Sequence, residues 1–464
     1  MGNLKNFIKE YKEFIQNYIF PLIGHPFKNE LFNEEKNELK DNGLIVKKEN
    51  KKIMFNIPKN DNLIAVNLKN EISDDVINLI NSICKQYGKV AIYSYVDDSK
   101  RQIELSKTEQ ERRYNYAVQL GICYWISTKG DKIEKLFSIL ENWSIKTYEG
   151  RKVTYSIIVD TDIEHVVAKN NFFEFLKDEY SATLTDPITS AFLVDIEGNL
   201  IKYVSIINEK RKNQIKKYKL TSNTPLRFAN LIYKEVDGKK IGIFLLSNGD
   251  FIISKKKELL LIKRNGRWLN CQFNSFYNAL LEFKITNKIS KQLIKEIFLT
   301  TLDISFSHTG GLISVLVNNE FINGKEPIID KFDQLNEKIN DDDLKKIIKE
   351  HNGLLNENEI DKEVFKRKVK KEIILNLIKD KEMKFVNIER KLRSELAALD
   401  GAFIINKKGN IISVGSIIQN DKGSSGGGRS AAAKKLSKNG MAIKISTDGY
   451  IETFVNGTKI YSIK

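Results

Sequence analysis

Apolar residues along the chain alternate between short strand-like runs and segments with helical spacing. Residues 63–68 form an apolar run, residues 73–87 have helical spacing, and residues 90–96 form a second apolar run. This order predicts a strand, a helix and a strand in a parallel or mixed sheet. The order returns at residues 153–158, which predict a strand, and at residues 160–177, which predict a packed helix.

Two pairs of apolar runs in the middle of the chain predict β-hairpins. The first pair lies in residues 191–207 and the second in residues 240–254, each with a glycine turn between its runs. A further strand is predicted at residues 258–262. Trp268 follows that strand, and it either stacks on a nucleotide base or closes the packing of the hairpin.

The last third of the chain predicts a hairpin and a charged helical insert. Residues 399–418 place two apolar runs around a turn at residues 407–409. Residues 320–384 are highly charged but keep isoleucine and leucine at helical spacing, which predicts helices exposed to solvent. We therefore expect an α/β (α+β) fold in which a C-terminal mixed β-sheet is flanked by helices and preceded by an α/β N-terminal region.

Length and pattern together predict two domains. The chain has 464 residues, enough for two to four domains at roughly 100–200 residues each. We place the division at residue 210. Residues 1–210 form the α/β region, and residues 211–464 form a second domain with a β-rich lead-in (211–275) and the charged insert (about 320–384).

Charge and cysteine usage narrow the setting and the partners. The net charge of +16 favours anionic partners, although scattered lysines also describe an ordinary solvated surface. No apolar run is long enough to span a membrane, and residues 1–20 predict an amphipathic helix, with no signal peptide. The three cysteines are far apart and odd in number, which indicates a reducing, cytoplasmic setting without disulfides.

Two motifs in the last third suit phosphate chemistry. Asp400 could bind a divalent metal or accept a proton from a hydroxyl, while Gly401 lets a ligand approach the backbone closely. A Gly/Ser-rich run at residues 423–428 leads into a predicted helix that begins near Arg429. Amide groups of such a loop can hold an anion, and a guanidinium adds a charged donor. Taken singly, the first motif is also an ordinary turn and the second also a flexible linker.

The order of these motifs resembles that of the diadenylate cyclases. That family carries Asp-Gly-Ala and, later, Gly-Thr-Arg-His-Arg-Ala-Ala, followed by a strand that ends in Ser. The chain has Asp400-Gly401-Ala402, then Gly427-Gly428-Arg429-Ser430-Ala431, then a strand ending in Ser446. Upstream, the strand that begins at Gly310-Gly311 looks like an early strand of the same family. The resemblance covers about residues 215–464.

The resemblance implies an activity, a cofactor and an assembly. A diadenylate cyclase condenses two ATP into cyclic di-AMP and releases pyrophosphate, with Mg²⁺ or Mn²⁺ as cofactor. It implies Asp400 and Arg429 as catalytic residues, with Asp400 also at the metal. It implies a nucleotide site made of Gly311, Gly401, Ala402, Gly427, Gly428, Ser430 and Ser446. Each subunit would hold one ATP, so at least a transient face-to-face dimer is expected, and residues 1–210 would respond to a small-molecule or protein signal.

Two departures from the motif leave other functions open. Ser430 stands where the family has His, and Ala431 stands where it has a second Arg. A domain with the same fold that binds ATP or a cyclic dinucleotide without turnover is therefore an alternative. Nucleic-acid binding driven by net charge is a third, less favoured one, and it would be insensitive to Asp400.

Overall fold

The structure is a computed structural model of the chain. It describes residues 2–23, 32–36, 46–49, 52–56, 62–67, 73–95, 107–163, 172–206, 224–271, 274–317, 329, 333–335, 340–352, 355–418 and 427–463. The chain divides into two compact units, Met1–Ser275 and Phe276–Lys464. No helix among these described residues is both long enough and apolar enough to cross a bilayer.

The N-terminal unit contains two principal β-sheets and a group of helices. Its helices are α1 (Gly2–Phe14), which continues through a π-helical turn (Ile15–Ile19) into α2 (Phe20–Ile23), α3 (Asp74–Tyr95), α4 (Lys107–Ile126), α5 (Gly130–Ser144), α6 (Phe172–Lys177) and α7 (Ala229–Glu235), with a 3₁₀ turn at Glu179–Thr183. Its strands are β1 (Phe32–Lys36), β2 (Val46–Glu49), β3 (Lys52–Asn56), β4 (Asn62–Asn67), β5 (Thr147–Tyr148), β6 (Arg151–Lys152), β7 (Tyr155–Asp160), β8 (Ser190–Val194), β9 (Leu200–Ser205), β10 (Lys240–Leu245), β11 (Phe251–Lys255), β12 (Glu258–Arg264) and β13 (Arg267–Asn270).

The two principal sheets of this unit differ in strand direction. The four-stranded sheet has the order β1-β4-β3-β2 and is antiparallel throughout. The seven-stranded sheet has the order β13-β12-β11-β10-β7-β8-β9 and is mixed, because β7 and β8 run parallel. Trp268 is buried in the core of this unit, where its ring meets the edge of Phe137 at 5.6 Å. Burial of Trp268 confirms its packing role.

The C-terminal unit is built around a six-stranded mixed sheet. Its helices are α8 (Asn274–Asn287), α9 (Lys291–Ser307), α10 (Asp341–Asn352), α11 (Glu357–Ile378), α12 (Arg390–Ala397) and α13 (Gly428–Ser437), with 3₁₀ turns at Lys379–Lys381 and Phe385–Asn387. Its strands are β14 (Gly311–Leu316), β15 (Ala402–Asn406), β16 (Ile411–Ser416), β17 (Gly440–Ile445), β18 (Ile451–Val455) and β19 (Thr458–Ile463). Their order is β16-β15-β14-β17-β18-β19.

Helices cover both faces of this sheet. On one face α13 buries Ala433 and Leu436 against Leu312 and Ala442 of the central strands. On the other face α9 and α12 pack on the sheet, and a buried bidentate ion pair joins them between Arg390 and Asp303, with N–O distances of 2.6 and 2.7 Å. The prediction of a C-terminal mixed sheet flanked by helices is therefore confirmed.

The charged segment predicted as an insert contains α10 and α11. These helices form their own small apolar cluster, made of Leu344, Ile348, Ile360 and Val364. Their remaining surface is rich in charge, which explains why the sequence shows helical spacing with few apolar residues. Other residues of the predicted insert, including 318–328 and 336–339, lie outside the described residues.

The predicted strand at residues 90–96 is wrong. Helix α3 continues to Tyr95, and the first sheet is antiparallel, whereas the sequence predicted a strand–helix–strand unit in a parallel or mixed sheet. Ile80, Ile83, Cys84 and Tyr87 are buried at helical spacing, so the apolar face of α3 leads directly into the apolar run. A short apolar run has no periodicity of its own that distinguishes a strand from the end of a buried helix.

The division between the units also differs from the predicted one. Strands β10 to β13 belong to the seven-stranded sheet with β7, β8 and β9, so the β-rich lead-in is part of the N-terminal unit. Residues 207–223, where the boundary was predicted, lie outside the described residues. The helix predicted at residues 160–177 is described only as α6, since β7 includes Asp160 and residues 164–171 are likewise not described.

Candidate active site

One edge of the six-stranded sheet collects the motifs predicted from the sequence. Strands β14 and β15 are parallel, so their first residues, Gly311 and Ala402, both lie at this edge. Strand β17 is antiparallel to β14, and its last residue, Ile445, pairs with Gly311. The segments 400–402, 310–311 and 446–449 therefore meet at the same edge, although up to 139 positions separate them in the sequence.

Arg429 reaches this edge from the first turn of α13. Its Nη1 atom lies against Gly310, so closely that a Cβ at that position would overlap it. The same Cβ would lie 3.3 Å from Cγ2 of Thr447, and Gly310 has a φ of 71°. Only glycine meets both requirements without strain. The contact brings the early Gly-Gly strand, the arginine motif and the turn after β17 into one site.

Two glycines stand at the start of α13. Gly427 has a φ of 79° and precedes the helix, and within the part of the chain that the structure describes no atom lies within 4 Å of the Cβ position of either Gly427 or Gly428. Both residues are exposed. The first turn of a helix is the part of a helix that binds anions. Residues 419–426, which complete the predicted glycine-rich run, lie outside the described residues.

Asp400 lies two residues before the start of β15 and is exposed. Its Oδ1 accepts a hydrogen bond from the amide of Gly401 at 3.1 Å. Gly401 has a φ of 101°, and a Cβ there would lie 2.7 Å from the carbonyl oxygen of Ser416, so glycine is required for β15 to pack beside β16. Ala402 is buried in the core against α13. Of this triplet, only the Asp400 carboxylate is presented to solvent for chemistry.

Ser446 shapes the turn after β17. Its Oγ accepts a hydrogen bond from the amide of Tyr450 at 3.1 Å. Two residues at the end of α9 hold the same turn: Nδ1 of His308 lies 3.0 Å from the carbonyl oxygen of Thr447, and the Ser305 hydroxyl donates to the carbonyl of Gly449. The end of α9 therefore holds in place the turn that carries Thr447.

The sequence did not point to Lys444 as a site residue. Its ammonium donates to Oγ of Ser430 at 2.7 Å and pairs with Oε2 of Glu452 at 3.0 Å. Lys459 pairs with the other oxygen of the same carboxylate. The signal was present as a lysine within the apolar strand β17, on the face that carries Ala442. Strand pairing was needed to show that this face meets the first turn of α13.

Lys370 is a second site neighbour that sequence reasoning missed. It projects from α11, and its ammonium donates to the carbonyl of Gly415 at 2.8 Å. Gly415 in turn lies close to the carbonyl oxygen of Asp400: a Cβ at Gly415 would lie 3.0 Å from that oxygen. The charged segment, which was predicted to form solvent-exposed helices, thus places the ammonium of Lys370 near the start of β15.

The carboxylate of Asp400 could bind a metal ion whose other ligands are phosphate oxygens and water. Among the described residues, no three His, Cys, Asp or Glu side chains form a metal-binding group. Asp400 nevertheless offers an exposed carboxylate beside a site lined with cations. Mg²⁺ commonly binds through one or two carboxylates together with phosphate oxygens and water. A single aspartate is therefore sufficient on the protein's side.

Comparison of the chain with models of known protein families and with curated proteins gives no match. The function is therefore argued from the chemistry of the site.

Proposed function

We propose that the C-terminal unit is a metal-dependent diadenylate cyclase, which condenses two ATP into cyclic di-AMP and releases pyrophosphate. One observation carries the proposal: Arg429 and the turn at Thr447 both lie next to Gly310, at the sheet edge where Asp400 precedes β15. A site for phosphoryl transfer needs cations and amide donors around the phosphates and a carboxylate beside the attacking hydroxyl. This edge supplies each of these groups.

The cations and amides at the start of α13 suit the triphosphate of one ATP. In the proposed complex, Arg429 donates to phosphate oxygens, and the backbone amides of Gly427 and Gly428 at the start of α13 also donate to them. Lys444 adds a second charge beside Ser430, 2.7 Å from its hydroxyl. The cyclase motif has His and Arg where this chain has Ser430 and Ala431. In the proposal, Lys444 supplies the positive charge that these two replacements remove.

Asp400 suits the attacking hydroxyl. In each half-reaction, the 3′-oxygen of one ATP forms a bond to the α-phosphorus of the other, and the bond from that phosphorus to pyrophosphate breaks. Asp400 holds the 3′-hydroxyl in line and accepts its proton. Asp400 would also hold a Mg²⁺ or Mn²⁺ ion, which when bound would supply positive charge to neutralise the phosphates.

The reaction requires two copies of the site. Each copy binds one ATP, and two bonds form between the two nucleotides, so the proposed enzyme acts as at least a transient face-to-face dimer. The exposed positions of Asp400, Gly427 and Gly428 are consistent with a site that opens toward a partner. The N-terminal unit, in this proposal, receives the small-molecule or protein signal that regulates the dimer.

The test is the product formed from ATP. The purified chain is incubated with ATP and Mg²⁺ or Mn²⁺, and the products are resolved by mass. We expect cyclic di-AMP from the parent and none from Asp400→Asn. Asp448→Asn is the matched control, because it removes an exposed carboxylate from the turn at the same edge and should retain activity. An ATP complex that forms no product with either metal would instead identify a nucleotide-binding sensor with this fold.

A further inference from the structure

The N-terminal unit contains a cavity that the proposed reaction does not use. Its volume is about 190 Å³, and it lies among the start of α3, the end of α4 and strands β11 to β13. For comparison, an apolar cavity of about 150 Å³ holds a benzene molecule. The cavity therefore has room for a ligand of roughly six to ten non-hydrogen atoms.

The cavity is lined by both apolar and charged residues. Val76, Leu79 and Leu260 provide aliphatic surface, and Trp125 provides an aromatic wall. The charged residues of the lining are Asp75, Lys255, Lys256 and Glu258. Such a lining, apolar with a few convergent charges, is typical of small-molecule sites.

Lys255 is the cation best placed for a ligand. Its ammonium lies 4.6 Å from the centre of the Trp125 ring and 3.5 Å from Oδ1 of Asp75, and its side chain is only 18% exposed. The Asp75 carboxylate receives a much shorter contact, 2.7 Å, from Lys256. Lys255 thus lies over the Trp125 ring, and its contact with the Asp75 carboxylate is the longer of the two lysine contacts to that group.

The position of Lys255 next to Trp125 favours an anion. Asp75 receives contacts from both lysines, the shorter one from Lys256. The hydrogen bond from Lys256 is the main cause of a lowered pKa at Asp75. Glu258 also lines the cavity and, like Lys256, is exposed, so the two carboxylates and two lysines of the lining balance in charge. A ligand carboxylate at Lys255 would replace a long ion pair with a short one.

We propose that this cavity binds a small carboxylate with an apolar body, with the carboxylate on Lys255 and the body between Trp125 and the leucine side chains. The inference does not depend on the cyclase proposal, because every residue in it belongs to the N-terminal unit.

The probe that tests it is hexanoate, titrated into the full-length chain by calorimetry. Hexylamine and 1-hexanol have the same apolar body with a positive and a neutral head. We expect hexanoate to bind in the millimolar range or tighter and the other two to bind at least about tenfold more weakly, since only the carboxylate can form a charge-assisted bond to Lys255.

Matched variants separate the cavity from a general charge effect. Lys255→Met keeps a linear side chain and should weaken hexanoate binding at least about tenfold. Lys257→Met is the control, because Lys257 also pairs with a carboxylate, Asp237, at 2.8 Å and lies over a ring, Tyr233, but does not line the cavity. Leu260→Trp should abolish binding by filling the space.

Three results would overturn the proposal. They are no hexanoate binding up to about 10 mM, equal binding of hexylamine, and unchanged binding by Lys255→Met in a variant that keeps the parent's thermal unfolding transition. Each would mean that the cavity has no anion site at Lys255.

Discussion

Lys444 places a cation next to Ser430, which stands where the cyclase motif has a histidine. The motif's second arginine is Ala431 in this chain. Its ammonium lies between Ser430 and Glu452, half-buried at the first turn of α13. If it neutralises phosphate, Lys444→Met should weaken ATP binding about tenfold, the usual size of a lost charged hydrogen bond. Titration of ATP at low and moderate ionic strength measures this change.

Lys459→Met provides the control for Lys444. Both lysines pair with Glu452 of β18. Lys444 lies on β17, whereas Lys459 lies on β19, on the other side of β18, and makes no contact with Ser430 that the structure records. We expect its removal to leave ATP affinity within about twofold of the parent, as for a solvent-exposed ion pair. Equal losses from both variants would show that the lysines act through Glu452 and the fold, and not at the phosphates.

Glu452 makes stability depend on pH in a predictable direction. Burial acts to raise the pKa of Glu452, but hydrogen bonds from Lys459 and Lys444 outweigh it, and the net effect lowers the pKa. A group with a lowered pKa stabilises the fold above its unfolded value, about 4.3 for Glu, and loses that contribution as pH falls through the folded pKa. Urea unfolding from pH 6 to pH 3, chosen to bracket about 4.3, should therefore show a shallower loss of stability in Glu452→Gln than in the parent.

Residues whose roles depend on local backbone were predictable, and residues brought in by pairing were not. Asp400, Gly401 and Arg429 could be selected from their motifs, and the structure places them at one edge of one sheet. Lys444 and Lys370 could not, because their positions depend on which strand pairs with β14 and on where α11 docks. The sequence around Lys444 or Lys370 does not by itself show which strand or helix lies next to it.

At the scale of elements, the junction of β14 with α13 depends on a glycine. Gly310→Ala introduces a Cβ that overlaps Arg429 and strains a φ of 71°. We expect it to cost about 1–2 kcal/mol of stability from the backbone alone and also to displace Arg429. ATP affinity should then fall as far as it does in Arg429→Ala.

Gly457→Ala separates backbone strain from displacement of the arginine. Gly457 has a similar φ of 75°, but its Cβ would meet only Lys438 at 3.6 Å, an ordinary contact. This variant should lose similar stability in urea unfolding and keep the parent's ATP affinity. If Gly310→Ala also keeps the parent's ATP affinity, Arg429 does not bind the phosphates of ATP.

Elements with strong turn signals were predicted well from the sequence. The hairpins β8–β9, β10–β11 and β15–β16 form where glycine turns separate apolar runs. The prediction failed at residues 90–95, where the helix α3 absorbs an apolar run that lacks a turn before it. Helix α3 packs against α4, the next helix along the chain, and the apolar run by itself does not reveal that contact.

At the scale of the molecule, the sheet boundary determines which fragment can fold. A fragment of residues 274–464 keeps every strand of the six-stranded sheet. A fragment of residues 211–464, the division expected from the sequence, also carries β10 to β13 without β7, and so exposes residues such as Ile243, which pairs with Ile157. Such an unpaired apolar edge promotes aggregation.

We therefore expect the shorter fragment to be monodisperse with a cooperative thermal transition, and the longer one to aggregate. Size-exclusion chromatography and circular dichroism distinguish the two. A well-folded longer fragment beside an unfolded shorter one would contradict the division at Ser275.

The ratio of pyrophosphate to cyclic di-AMP formed from ATP tests the central claim most directly. Two bonds form between two ATP, so the proposal predicts two pyrophosphates for each cyclic di-AMP in the parent, and neither product in Arg429→Ala. ATP that protects the parent against thermal unfolding while neither product forms would contradict the cyclase proposal and leave a nucleotide-binding sensor in its place.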